Sequence, residues 1–274
     1  MGLAIGTVLF DLDGTLLDTL GDLAGSLNHT MRRLGYPQRT EGEVRAAIGS
    51  GIRNALRRIF PHEPGDGELD AAQAIFREHY AAHGADMTKP YPGIVEALEA
   101  LARDGYKMAV VSNKPDYATQ KLVGAFFSGC IGVAVGERPG VPIKPAPDAV
   151  FAALARLGVA AGVGAVGGAM GDTVGDAAGV GAAGGAMGDT AGDAAGGAAG
   201  AGSVGDAAGD GSASGAIYVG DSDVDVATAK NAGLPYILVN WGFRDRGALL
   251  AAGADPARIA CSASELLAMI RAAG

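Results

Sequence analysis

The chain has 274 residues, 49% of them apolar, which suffices for one large domain or two modest ones with a substantial core. A net charge of −9 argues against a nucleic-acid surface. The two cysteines, Cys130 and Cys261, have no metal-like spacing and suggest no disulfide framework, and no window is apolar enough to span a bilayer. The expectation is a soluble cytoplasmic protein, monomer or homodimer, with no membrane partner.

Ile5 to Phe10 is a short apolar run that reads as a buried strand. Asp11-Leu12-Asp13-Gly14 follows where that strand ends. Residues i and i+2 of an extended backbone point to the same side, so Asp11 and Asp13 can face one pocket. Gly14 then lets the chain turn sharply. Two carboxylates that close repel each other unless a cation or a proton sits with them. A hard divalent ion such as Mg2+, which favours a few carboxylates plus phosphate oxygens and waters, is the natural partner. A lone Asp-x-Asp is more simply a strand-to-turn junction. Here, three further sites follow it.

Residues 16–88 read as mostly helical, with no evident strand-like run. Tyr91-Pro92-Gly93 marks the return to alternating strands and helices. A helical stripe at Ile94, Val95, Leu98, Leu101 and Ala102 precedes a strand-like run, Lys107–Ser112. Ser112, Asn113 and Lys114 end that run; a strand-terminal Ser with free backbone N–H groups can hold phosphate oxygens, although Ser and Asn also end many strands as turn residues. In Ile143-Lys144-Pro145-Ala146-Pro147-Asp148 two prolines stiffen the chain around Lys144, and Asp148 can cap the helix that follows. Lys144 could neutralise a nucleophile or a phosphate; alone it reads more simply as a solvated lysine before a helix. A stripe at Val150, Phe151, Leu154 and Leu157 marks that helix.

Residues 160–215 are compositionally apart. Of these 56 residues 20 are Gly and 18 are Ala, and six Asp supply −6 of the net charge. Gly167–Gly179 recurs almost unchanged at 184–196, and the Asp pairs 172/176, 189/193 and 206/210 keep a period of 17. Such a composition buries too little apolar area to offset the ordering entropy of glycine, so a flexible insertion is predicted. A calcium-binding glycine-aspartate roll would need a nonapeptide pattern that is absent. Beyond it, Ala216–Gly220 reads as a strand ending in Asp221-Ser222-Asp223-Val224-Asp225, with carboxylates at i and i+4. Tyr236–Val239 is a further strand, and Leu266, Leu267 and Ile270 mark a last helix. Together these predict an α/β fold, a doubly wound parallel, Rossmann-like sheet.

The four motifs, in this order, resemble the haloacid dehalogenase superfamily of phosphotransferases. The segments DLDGTLLDT, YPG, VVSNKP, KPAPD, VGDSDVD and NWGFR are similar to those of phosphoglycolate phosphatases. The resemblance implies a core of residues 1–15 and 89–274 with a small helical cap at 16–88, and covers all of the chain except the low-complexity insertion at 160–215 within the core. It implies that Asp11 attacks phosphorus and Asp13 serves as acid, then base. Ser112 and the Asn113 backbone would hold phosphoryl oxygens, and Lys144 would offset negative charge. Mg2+ would be bound by Asp11, the Asp13 carbonyl and Asp221, with Asp225 bound directly or through a neighbour. The dehalogenases and phosphonate-cleaving relatives lack the acid at position 13, so a phosphate ester or anhydride is expected.

The expected activity is Mg2+-dependent hydrolysis of a small phosphorylated metabolite, above all 2-phosphoglycolate. A sugar-phosphate mutase, a pyrophosphatase or nucleotide phosphatase, or a catalytically silent binding module are the alternatives. In the cap, Ile48-Gly49-Ser50-Gly51-Ile52-Arg53 is the candidate reading loop, with Gly49 and Gly51 admitting substrate to the backbone and Arg53 pairing a carboxylate. The four histidines there show no ligand-like clustering in sequence. Gly171–Asp176 has the same GDxxxD spacing as Gly220–Asp225, and Asp172 lies 28 residues after Lys144 whereas Asp221 lies 77 after it. Asp221 is chosen because Ala216–Val219 before it can form a buried strand and a helix and strand follow, whereas Gly167 and Gly168 weaken the run before Asp172.

Overall fold

The computed structural model describes residues 5–159 and 215–274. In chain order the elements are β1 (Thr7–Phe10), β2 (Leu17–Asp18), α1 (Leu20–Arg33), α2 (Glu41–Ala47), α3 (Ile52–Ile59), α4 (Asp66–His83), β3 (Lys89–Pro90), α5 (Ile94–Arg103) and β4 (Lys107–Pro115). They continue with α6 (Asp116–Phe127), β5 (Val133–Glu137), α7 (Asp148–Arg156), β6 (Ala216–Gly220), α8 (Asp223–Asn231), β7 (Tyr236–Val239), α9 (Arg246–Ala251), β8 (Ile259–Ala260) and α10 (Ala263–Ala273).

Six strands form one sheet in the order β5-β4-β1-β6-β7-β8, all parallel. Strand β1 is central and pairs with β4 and β6 over its whole length, Thr7 facing Lys107 on one side and Ala216 on the other. Alternate residues divide between the two faces. Val8, Phe10, Val110, Ile217 and Val219 pack under α5, α6 and α10. Leu9, Ala109, Val111, Val135 and Tyr218 pack under α7 and α8. A strand covered on both faces is apolar at every position, which is why these runs were visible in sequence. Each fully buried Val, Leu or Phe contributes roughly 1.5–3 kcal/mol.

Helices α1–α4 bury a separate apolar cluster of their own, including Leu27, Met31, Leu56, Ile59 and Phe76, to which α6 adds Ala118 and the loop after β7 adds Phe243. The stretch 16–88 is not without strand: Leu17–Asp18 pairs antiparallel with Lys89–Pro90. Two residues per strand are too few to leave a period-2 pattern. The ribbon closes both chain crossings between sheet and helices, and Asp22 beside it accepts the N–H groups of Met87 and Thr88.

The expectation of flexibility at 160–215 falls outside the described residues, Gly215 excepted. The flanks of that segment lie at the amino ends of the strands. Gly215 accepts the N–H groups of Gly6 and Thr7 at 2.9 and 3.1 Å, and the Leu157 carbonyl accepts Lys107 Nζ at 3.0 Å. Asp11 is at the other end of the sheet.

Candidate active site

In an open parallel sheet, ligands bind outside the carboxyl ends of strands, where the strand order reverses. Asp11 leaves the end of β1, Ser112 and Asn113 lie near the end of β4, and Asp221 leaves the end of β6. These three strands are neighbours, so residues 101 to 210 positions apart in sequence share one edge. The β4–β5 register shifts between Val111 and Pro115, which takes Ser112–Lys114 out of the regular ladder.

One oxygen each of Asp11, Asp221 and Asp225 lies within 4.8 Å of the others, and all three residues are buried. Asp225 stands in the first turn of α8, where the helix dipole favours an anion. Its two oxygens are fully engaged. One accepts Lys144 Nζ at 2.8 Å, and the other accepts the N–H groups of Asp221 and Ser222 at 3.1 Å and the Ser222 hydroxyl at 2.7 Å. Asp11 Oδ1 accepts the Leu12 N–H and pairs with Lys144 Nζ at 3.0 Å, and Asp221 Oδ2 accepts the Phe243 N–H at 2.6 Å. Asp11 Oδ2 and Asp221 Oδ1 accept no hydrogen bond from the described residues.

Burial pushes Asp11 up to about 7; Lys144 pulls it down, while Asp225 and Asp13 push it up. Burial, then Asp225 and Asp11, hold Asp221 well above the usual carboxylate range. Burial opposes charge on Lys144, but Asp11, Asp225 and Tyr218 outweigh it and raise its pKa. Lys144 is therefore the interior cation of this network, not a solvated lysine, and Tyr218 Oη accepts it at 3.1 Å. Asn113 clamps its backbone: Lys144 N–H donates to Asn113 Oδ1 at 2.7 Å and Asn113 Nδ2 donates to the Lys144 carbonyl at 3.0 Å. Asp148, expected as a cap, is instead the first residue of α7.

Sequence reasoning gave Lys114 no role. Its Nζ grips both oxygens of Asp13, at 2.8 and 3.0 Å, with only 2% of the side chain exposed. Each carboxylate of the Asp11/Asp13 pair thus has its own buried lysine. Four carboxylates and two ammonium groups leave an excess of negative charge when all are ionised. The two unpartnered oxygens are hard donors, and the donor set fits a hard divalent cation.

Close packing demands glycine at two places. Gly14 turns at φ 83°, and a Cβ there would collide with the Asp221 carboxylate. A Cβ on Gly242 would strike the Gly14 carbonyl and Asp221 itself. The turn after Asp13 and the loop after β7 are thereby wedged around Asp221.

A cavity of about 50 Å3 opens above these groups. Asp11, Asp13, Ser112, Asn113 and Lys114 form its floor; Gly49, Gly51 and apolar side chains of α1, α3 and α4 form its roof. Gly49 and Gly51, both at positive φ, bring backbone to the cavity. Arg53 does not line it. Its guanidinium is drawn to the acidic first turns of α4, binding Asp66 at 2.8 Å, Asp70, and Gln73 at 2.7 Å. The expected pairing of Arg53 with a substrate carboxylate is corrected accordingly. Arg53→Gln is expected to change KM by less than about threefold, because the exposed pairs it breaks are worth little; steady-state kinetics check this. Arg244 likewise faces the carbonyls of Arg45 and Ile48, whereas Phe243 does line the cavity.

Comparison with known proteins gives a consistent picture. A phosphoglycolate phosphatase of Aquifex aeolicus is 37% identical over 152 residues, 55% of this chain and 70% of its own length. A plasmid-borne phosphoglycolate phosphatase of Cupriavidus necator is 30% identical over 251 residues, 90% of this chain and 86% of its own. A crystal structure of a candidate phosphoglycolate phosphatase from Lactobacillus delbrueckii superposes with a TM-score of 0.73 at 28% identity, covering 98% of this chain and 99% of that one. The family model described as haloacid dehalogenase-like hydrolase matches residues 8–184, so the match takes in Asp172 and stops short of Asp221. With that match spanning more than half the sequence, on a sheet that carries an Asp-x-Asp pair at the end of its central strand, the chain belongs to the haloacid dehalogenase-like hydrolase family.

Proposed function

We propose that this hydrolase is a Mg2+-dependent phosphatase for a small phosphorylated acid, with 2-phosphoglycolate the leading substrate, acting through an aspartyl-phosphate on Asp11. The observation that carries this reading is the pairing of Asp11 and Asp13 with separate buried lysines beside a small cavity, with one oxygen of Asp11 unpartnered among the described residues. The curated relatives named phosphoglycolate phosphatase support the substrate class.

Asp11 attacks phosphorus through one carboxylate oxygen, and the P–O bond to the leaving group breaks. Asp13, two residues on, gives its proton to the leaving alkoxide. It then takes a proton from water, which attacks phosphorus, releases phosphate and restores Asp11. Ser112 and backbone N–H groups of the irregular end of β4 hold the phosphoryl oxygens. Lys144 offsets the charge of Asp11 while Asp225 and Asn113 fix its position. Asp11, Asp221 and the Asp13 carbonyl would hold Mg2+, with Asp225 acting on it through Lys144 and the Asp221 N–H. When bound, the ion neutralises charge between attacking carboxylate and phosphate dianion. Helices α1–α4 serve as the cap that excludes water.

The test is phosphate release by the full chain from 2-phosphoglycolate, sugar phosphates, nucleotides and pyrophosphate, with Mg2+ or with chelator. Phosphoglycolate is expected to lead in kcat/KM by about tenfold or more, with turnover lost on chelation. Preference for another ester would retain the mechanism and reject the substrate. A requirement for a bisphosphate activator would indicate a mutase.

A further inference from the structure

Buried hydroxyl groups nearly always have hydrogen-bond partners, and an exception calls for a reason. The Tyr80 hydroxyl is buried and unpartnered among the described residues, and Tyr80 lines the cavity above Asp11 and Asp13. Its ring cannot swing away freely. It stacks on Phe76 at 5.2 Å between centroids, and Gly84 is close enough that a Cβ there would collide with it. Lys114 Nζ sits 4.8 Å from the ring centroid. That ammonium has three donors, of which Asp13 takes two, and the Tyr80 hydroxyl beside it is the acceptor within reach of the third.

Few side chains of the roof can recognise an anion: Leu23, Ile48, Ile52 and Ala55 are apolar and Arg53 is tied to α4, while Gly49 and Gly51 offer main-chain N–H groups only. The Asn113 amide is spent on Lys144. With the Lys144 ammonium engaged on Asp11, Asp225 and Tyr218, the side-chain donor left for the far end of a substrate is the Tyr80 O–H, held beside Lys114. It lies next to the acid-base carboxylate in a cavity of about 50 Å3. A neutral alkyl tail would leave that O–H unsatisfied; a carboxylate one carbon from the ester oxygen is compact and offers it an acceptor.

We infer that Tyr80, with Lys114, is the specificity determinant that receives the substrate carboxylate. This rests on the reading of the site as a phosphatase for a small phosphorylated acid.

Tyr80→Phe removes only the hydroxyl and keeps the ring, so the fold is retained; a melting curve checks that. The variant is expected to lose about 10- to 100-fold in kcat/KM on 2-phosphoglycolate, chiefly through KM, and to change less than about twofold on ethyl phosphate, which lacks the carboxylate. A binding measurement separates recognition from chemistry. Phosphonoacetate should inhibit the wild type at least about tenfold better than ethylphosphonate, and that gap should close in Tyr80→Phe. Equal losses on both esters would mean a structural role, and no loss on either would mean no role; each overturns the assignment. If the wild type prefers the acid and Tyr80→Phe keeps the preference, the assignment fails while the substrate reading stands. If the wild type shows no preference for the acid, both fail.

Discussion

Asp11→Asn is expected to abolish phosphate release, by about 10⁴-fold or more, and at the same time to make the metal-free protein more resistant to heat at pH 8. The first effect follows from the loss of the attacking carboxylate. The second follows from crowding. Asn keeps the shape and can still accept from the Leu12 N–H and Lys144, but it removes one of the carboxylates packed around Lys144. Asp11 is pushed up to about 7, chiefly by burial, against an ordinary value of 3.8. Between those values the folded state binds more protons at this site than the unfolded state does. Stability therefore falls as pH rises through that window, by an amount on the order of a few kcal/mol for a shift of this size. Asp221, also raised, adds a contribution of the same sign. In chelator the wild type should melt lower at pH 8 than at pH 5.5, Asp11→Asn should show a smaller fall, and Mg2+ should restore the wild type most at pH 8, since binding to the folded state stabilises it. Melting curves at two pH values, with and without Mg2+, check this. Identical pH dependence in the two proteins would show that Asp11 is not the strained carboxylate.

The parts of this molecule that could be read from sequence are those whose cause is local. Strands β1, β4, β6 and β7 announced themselves because a parallel strand covered on both faces has no polar positions until its end. Asp11 and Asp13 stood out because their spacing alone aims them together. Strand β8, at two residues, and β5, which carries Gly136, leave too weak a pattern. What sequence could not supply was the direction of long side chains. Lys114 directly follows Asn113 in a motif already singled out, yet its partner Asp13 is 101 residues away and only the β1–β4 pairing brings them together. The only available signal was a lysine flanking an apolar strand end, and that usually marks a solvated turn. Arg53 shows the converse. The glycines beside it do line the cavity, at a positive φ that is a backbone property. The guanidinium went elsewhere because Asp66 and Asp70, one turn apart on α4, attract it more than the apolar roof can. Asn113 was expected to act through its backbone, whereas its side-chain amide closes a reciprocal pair with Lys144 across 31 residues.

Asp221→Asn should lower kcat/KM by about 10³-fold or more and raise the Mg2+ concentration needed for half-maximal rate, whereas Asp172→Asn should change neither by more than about twofold. Both residues stand in a Gly-Asp-x-x-x-Asp pattern, and Asp172 has the shorter distance from Lys144 in sequence. It also falls within the residues that match the family model, while Asp221 does not. Linear spacing thus favours the first copy; three-dimensional constraints favour the second. The run before Asp221 is β6, paired residue for residue with β1 and β7, so Asp221 leaves the sheet beside Asp11. Asp225 then falls four residues on, in the first turn of α8, where it accepts the Asp221 N–H and reaches Lys144. Gly14 and Gly242 lack the Cβ atoms that would displace the Asp221 carboxylate. Asp172 lies outside the described residues, and the segment that contains it departs and returns at the amino ends of β4 and β1, away from Asp11. Isosteric Asn tests the charge at each position without changing volume. Loss of activity in Asp172→Asn with Asp221→Asn unaffected would assign the cation to the first copy and would require the repeat, not β6, to reach the end of β1.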